Sequence, residues 1–201
     1  MQKRLFLLIV VLMGTLLFYL SCEEKGVEKI TARELIERGW PKFEAGDFAG
    51  ATSDFSAALS IATNASDSSE AFLGLGWTNL RQNHGGLAEN NLVRFLSLTS
   101  GSNDGKAGLA LAYLAQEKFQ SAIDTANVVL ASDSLWSFGH DNSINYLDLL
   151  LLLAQSYYEL ADFNTSLEIV QEYFDRNFVV DPNTPEGKTD LAEKIYSLWT
   201  G

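Results

Sequence analysis

Residues 32–59 read ARELIERGWPKFEAGDFAGATSDFSAAL, and they decide the fold. Ala32, Leu35 and Gly39 fall on one side of a first helix. Phe48, Ala51, Phe55 and Ala58 follow at spacings of three and four on a second, so each half carries a single apolar stripe. Ala45-Gly46-Asp47 separates them, which makes the stretch one helical hairpin. Gly39 and Ala51 are small enough for two helices to approach closely, and Phe55 supplies the bulk that fills the space beside them. Pro41 breaks the pattern: it removes a backbone bond to the Glu37 carbonyl, ordinarily worth about 3 kcal/mol, and predicts a kink or an early end. The second half then recurs. Phe119-Gln-Ser-Ala122-Ile123 and Phe163-Asn-Thr-Ser166-Leu167 echo Phe48-Ala-Gly-Ala51-Thr52, so the hairpin is the unit of a repeating chain.

A second unit starts near Ser69. Phe72-Leu-Gly-Leu75-Gly76 marks its first helix and Ala88 with Leu92 its second. Its turn is Asn83-His84-Gly85-Gly86, where the two glycines are expected to take positive φ and end the first helix. His84 is therefore a turn residue, since no Cys, His or carboxylate stands around it at metal-ligand spacing. The third unit runs from Asn103, with Gly105 and Gly108 weakening its first helix by roughly 1 kcal/mol each while permitting close packing. Its second helix is strongly periodic through Phe119, Ala122, Ile123, Ala126, Val129 and Leu130. Residues 133–143 are an insertion before the fourth unit. They hold Ser137, His140 and Asp141, the residue types of a hydrolase triad, without the strand-turn-helix surroundings such a nucleophile needs. Trp136 and Phe138 in the same insertion either fold down over the helices or project as a binding edge. From Leu147 to Leu153 the chain is apolar nearly all round, which marks a helix covered on several sides. A helix from Phe163 follows. After Pro182 and Pro185, Thr189 is expected to cap a last helix with Leu191, Ile195 and Leu198 on one face.

Leu35, Gly39, Phe43, Phe48, Ala51, Phe55 and Ala58 together resemble the tetratricopeptide repeat. That family pairs an aromatic, a Leu-Gly step and an aromatic on helix A with an Ala and a large residue four later on helix B. The resemblance implies an all-α, right-handed superhelical solenoid across residues 31–201. It has about four hairpins, at 32–65, 69–102, 103–136 and 147–180, and a C-terminal capping helix near 189–199 that covers the apolar end. It also implies a concave wall lined by helix A side chains. By alignment that partner-binding groove holds Trp40 and Phe43, then Trp77, Leu80 and Arg81, then Leu111 and Leu114, then Gln155 and Tyr158. Tryptophans at equivalent places of successive repeats stand about 10 Å apart at ordinary helix spacing, and tryptophan is a frequent anchor in protein interfaces. Trp40 and Trp77 either face this groove or pack between neighbouring helices.

With 201 residues, 47% of them hydrophobic and 20% charged, the chain has the profile of a globular protein with a substantial core. Its net charge is −12, and −14 once the leader bearing Lys3 and Arg4 is discounted. Phosphate binding needs clustered Lys and Arg, so nucleic acid is excluded as a partner while a basic protein is not. The basic start Met1-Gln-Lys3-Arg4, followed by the apolar run Leu5–Leu20, reads as a signal peptide over residues 1–21. Ser21-Cys22 closes that run and resembles a bacterial lipoprotein lipobox, although Tyr19 and Leu20 depart from the preferred residues. The resemblance implies lipid attachment at Cys22, the only cysteine, with residues 22–30 as a tether. The expected location is the bacterial cell envelope, lipid-anchored at the outer membrane, with a periplasmic or secreted form as the alternative. These features point to a non-catalytic scaffold that holds a protein or peptide and needs no cofactor or metal. A glycan-binding envelope lipoprotein is a second reading, and a hydrolase using the 136–141 loop is a third.

Overall fold

The computed structural model describes residues 29–200, and the signal peptide, Cys22 and most of the tether lie outside them. Contacts divide the chain after Ile30, and everything from Thr31 onward forms one compact unit. Its described part is mostly helical. The helices are α1 (Ala32–Glu44), α2 (Phe48–Ile61), α3 (Ala65–Arg81), α4 (Gly85–Leu98), α5 (Asn103–Leu114), α6 (Phe119–Ser132), α7 (Tyr146–Glu159), α8 (Phe163–Tyr173) and α9 (Pro185–Thr200). A two-stranded antiparallel ribbon, β1 (Ser137–Phe138) and β2 (Asp141–Asn145), stands between α6 and α7.

Four tight turns pair α1 with α2, α3 with α4, α5 with α6 and α7 with α8, and all four are built alike. Each carries one left-handed residue: Gly46 (φ 79°), Asn83 (60°), Glu117 (58°) and Ala161 (64°). The N–H of that residue bonds three residues back, as from Gly46 to the Phe43 carbonyl (2.9 Å). The next N–H bonds five back, as from Asp47 to Lys42 (2.8 Å), His84 to Asn79 (2.8 Å), Lys118 to Tyr113 (2.9 Å) and Asp162 to Tyr157 (2.9 Å). This pair of hydrogen bonds satisfies the last carbonyls of the first helix and turns the chain back along it. The second turn departs from expectation. Asn83 takes the positive φ, and Gly85 and Gly86 open α4 instead of ending α3. Asparagine tolerates this conformation because its short side chain bonds locally.

Each helix packs on its neighbours in sequence, and the first helices α1, α3, α5 and α7 also touch one another in that order. Phe55 on α2 is fully buried, and its ring is wedged where α1 and α3 present Gly39 and Gly74. Gly105 likewise admits the Phe95 ring. On α7, Leu149 through Ala154 are all buried, in keeping with a helix covered on several sides.

Three boundaries differ from the sequence reading. Helix α1 runs three residues past Pro41, because Glu37 and Pro41 both lie on its exposed side, where water can serve the freed carbonyl. A capping box at Thr31 and Glu34 fixes its start. Helix α3 begins at Ala65 and not near Ser69, since Asn64 accepts a bond from the Asp67 N–H (2.8 Å). Helix α9 begins at Pro185 and not at Thr189. Proline suits a first helical position, Thr184 Oγ1 receives the Gly187 N–H (3.0 Å), and the Thr189 hydroxyl donates to the Pro185 carbonyl (3.0 Å).

Candidate interaction groove

The first helices bring Trp40 and Phe43 from α1 next to Trp77 from α3, and the insertion closes over them. Its burial alternates along the chain. Leu135 is 72% exposed, Trp136 3%, Ser137 exposed, Phe138 0%, Gly139 exposed and His140 half-buried. Alternation of this kind is what an extended strand shows when one side faces a surface. Gly139-His140 then reverses the chain into β2, and the Tyr146 N–H donates to the Trp136 carbonyl (2.7 Å), which pins the base of the ribbon.

Aromatic contacts fill the space. Phe138 stacks on Trp77 (centroids 4.0 Å apart, 18° between planes) and meets Trp40 and Phe43 edge-on at 6.1 and 6.0 Å. Trp136 also stacks near Trp77 (6.4 Å, 20°), with its indole N–H donating to Asp104 Oδ1 (2.8 Å) at the start of α5. The His140 ring lies flat on Trp40 (3.6 Å, 1°) while its Nδ1 meets Glu44 Oε1 at 2.9 Å. Asp141 reaches Arg81 (3.3 Å) and takes the Ser143 hydroxyl (2.6 Å). Glu44, Arg81, His140 and Asp141 thus form a polar rim around a buried aromatic floor. At the base of the ribbon, burial pushes the Asp148 carboxyl above its usual range. The Asn145 and Asp148 backbone N–H groups oppose that rise, and nearby Asp141 adds to it.

The nine residues assigned to the concave wall fall into three groups. Trp40, Phe43 and Trp77 are buried under the insertion, at 5%, 2% and 1% exposure. Arg81 is exposed at the rim, and Leu80, Leu111 and Leu114 are half-buried against the same core. Gln155 and Tyr158 sit under the last helix instead. Gln155 Oε1 accepts from the Trp199 indole (2.7 Å) and Tyr158 donates to the Lys188 carbonyl (3.2 Å), beside a cleft of about 180 Å³ that Tyr196 also lines. Ring faces that the sequence assigned to a partner are therefore covered by Phe138 and His140, because the insertion supplies apolar groups at the spacing those rings require. Sequence reasoning left Glu44 and Asp104 out of the site. Neither lies on an apolar stripe, so no local period marks them.

Ser137, His140 and Asp141 are not joined as a relay: His140 pairs with Glu44, and Asp141 with Arg81 and Ser143. Among the described residues, no cluster of three His, Cys, Asp or Glu side chains could hold a metal ion, and no helix is long and apolar enough to cross a membrane. No protein-family model matches this sequence, and no curated protein matches it. The geometry of the groove therefore carries the functional reading.

Proposed function

We propose that this chain is a non-catalytic, tetratricopeptide-type scaffold lipoprotein of the bacterial cell envelope that binds a protein or peptide partner along the face shared by its first helices. One observation carries the reading. The insertion segment Leu135 to His140, extended at Ser137–Phe138 and turning at Gly139-His140, lies on that face with alternate side chains buried. A surface that seats one backbone this way has the spacing and the apolar sockets to seat another, as peptide-binding grooves do. In this reading the hairpins belong to a right-handed superhelical solenoid, α9 is its cap, residues 1–21 are removed, and acylated Cys22 holds the domain to the outer membrane through residues 22–30. The aromatic floor also suits a sugar ring, but the seated polypeptide favours a peptide.

Crosslinking and pull-down from native membranes tests the partner claim. Trp40 and Trp77 are too deeply buried to be replaced without disturbing the core, so the comparison is wild type against Arg81→Glu at the accessible rim. Loss of specific proteins from the variant supports the groove; recovery of the same set from both refutes it. Labelled palmitate tests the anchor: incorporation is expected in wild type and absent in Cys22→Ser, and equal labelling sinks the lipid assignment.

A further inference from the structure

Taking the groove reading as its basis, the geometry points to the Trp136–Asp141 segment as a built-in competitor for the groove, displaced by a partner peptide that presents aromatic side chains at alternate positions of an extended strand. Trp136, Phe138 and His140 stand at i, i+2 and i+4. The extended stretch at Ser137–Phe138 sends the first two to one side, where they meet Trp77 and then Trp40, Phe43 and Trp77 together, and the Gly139-His140 turn lays the third ring on Trp40. The sockets therefore specify their ligand: a bulky aromatic, a second aromatic two residues on, and a flat ring or planar hydrogen-bonding group beside Glu44 two further.

Three features distinguish a replaceable occupant from an ordinary piece of core. The segment belongs to no helix, and among the described residues its two strands pair only with each other. Its charged ties to the wall, the Glu44–His140 and Arg81–Asp141 pairs, lie at the solvent rim where ion pairs contribute little, which leaves the Trp136 indole bond to Asp104 as its one part-buried side-chain tie to the helices among the described residues. And the closed arrangement leaves the Trp40 and Trp77 indole N–H groups buried without an acceptor among the described residues. Buried donors are normally satisfied. A partner backbone that brings a carbonyl to either indole gains a bond that the resident segment does not make.

Hydrogen exchange on the full wild-type chain in detergent, with and without a synthetic peptide of residues 134–142, tests this. The amides of β1, β2 and Tyr146 are expected to exchange about a hundredfold faster than the slowest amides of α3 and α7, because the segment opens without global unfolding. Peptide at about ten times its dissociation constant for the open groove should speed that exchange about tenfold more and leave the helices unchanged. A scrambled peptide with Trp and Phe adjacent should do neither. Exchange of the segment in step with α3 and α7 overturns the proposal, as does an opening that the peptide does not enhance, or one enhanced by maltohexaose and not by the peptide. The envelope-scaffold reading is decided separately, by the pull-down.

Discussion

Gly74→Ala places a methyl group against the wedged Phe55 ring. A Cβ built at Gly74 lies 2.6 Å from Cε1, Cε2 and Cζ of Phe55, and the ring has no room to retreat, because a Cβ at Gly39 on its other flank would be 2.7 Å from Cε1. Phe55 itself is fully buried. Two terms oppose each other. Alanine in place of glycine inside a helix contributes about 1 kcal/mol of stability, whereas overpacking a rigid core costs about 1–3 kcal/mol. A ring wedged on both flanks belongs at the upper end, so the net loss is about 2 kcal/mol. For a chain of this size that lowers the melting temperature by roughly 4–8 °C. Far-UV circular dichroism of the full chain in detergent reads it. Gly86→Ala is the control: its Cβ would meet only Gln116 Oε1 at 3.8 Å, an ordinary contact, so the same substitution should be neutral or stabilising. Phe55→Leu should relieve the clash, so that Phe55→Leu/Gly74→Ala costs about 1 kcal/mol less than the two single changes added together. A Gly74→Ala variant as stable as wild type, or one whose loss simply adds to that of Phe55→Leu, would refute the wedge.

The four turns make a second prediction. Gly46→Ala meets no atom within 4 Å yet must hold a left-handed conformation, so it should cost about 1 kcal/mol, while Ala161→Gly should stabilise; opposite signs in thermal melts are the check. Asp54 is buried and gripped by Arg38 (2.8 Å) and Lys42 (2.6 Å), and the Arg38 guanidinium holds its carboxyl below the usual range. A lowered folded-state pKa contributes stability above the unfolded value of about 4 and loses it as pH falls through the folded value. Asp54→Asn should therefore cost about 1–2 kcal/mol near neutral pH, and the gap to wild type should close in melts run at progressively more acid pH below that value. Asp104→Ala leaves the Trp136 indole without its acceptor, at a cost of about 1–3 kcal/mol, and should change the near-UV dichroism of the tryptophans while far-UV signal is retained.

The helices and their order were legible because each carries its own stripe: Phe48, Ala51, Phe55 and Ala58 all proved buried or half-buried on the inner side of α2. The close approach at Gly39 and Gly105 was legible too, since only a missing side chain admits a ring there. Left-handed turns at Glu117 and Ala161 were not, because neither residue type announces that conformation. The site was half legible. Trp40 and Trp77, which the sequence places on successive first helices, both meet Phe138, but what covers them lies about sixty to a hundred residues away in sequence, beyond the reach of any local period. One signal was present and unused. The alternation of large aromatic and small residues through Trp136, Ser137, Phe138 and Gly139 is matched by their burial and marks the short extended stretch, although apolar Leu135 just before it is exposed.

The His140–Glu44 contact joins positions 96 residues apart, in a domain whose other packing is mostly between neighbours in sequence. Chains held together by neighbour contacts alone unravel piecemeal, since each unit needs only the next. A tie from the fourth hairpin's approach back to the first lengthens the mean loop that folding must close and slows it accordingly. It also binds the fate of the first hairpin to that of the third and fourth. With the segment seated, the domain should melt in one step; with it displaced, the first hairpin becomes free to fray on its own.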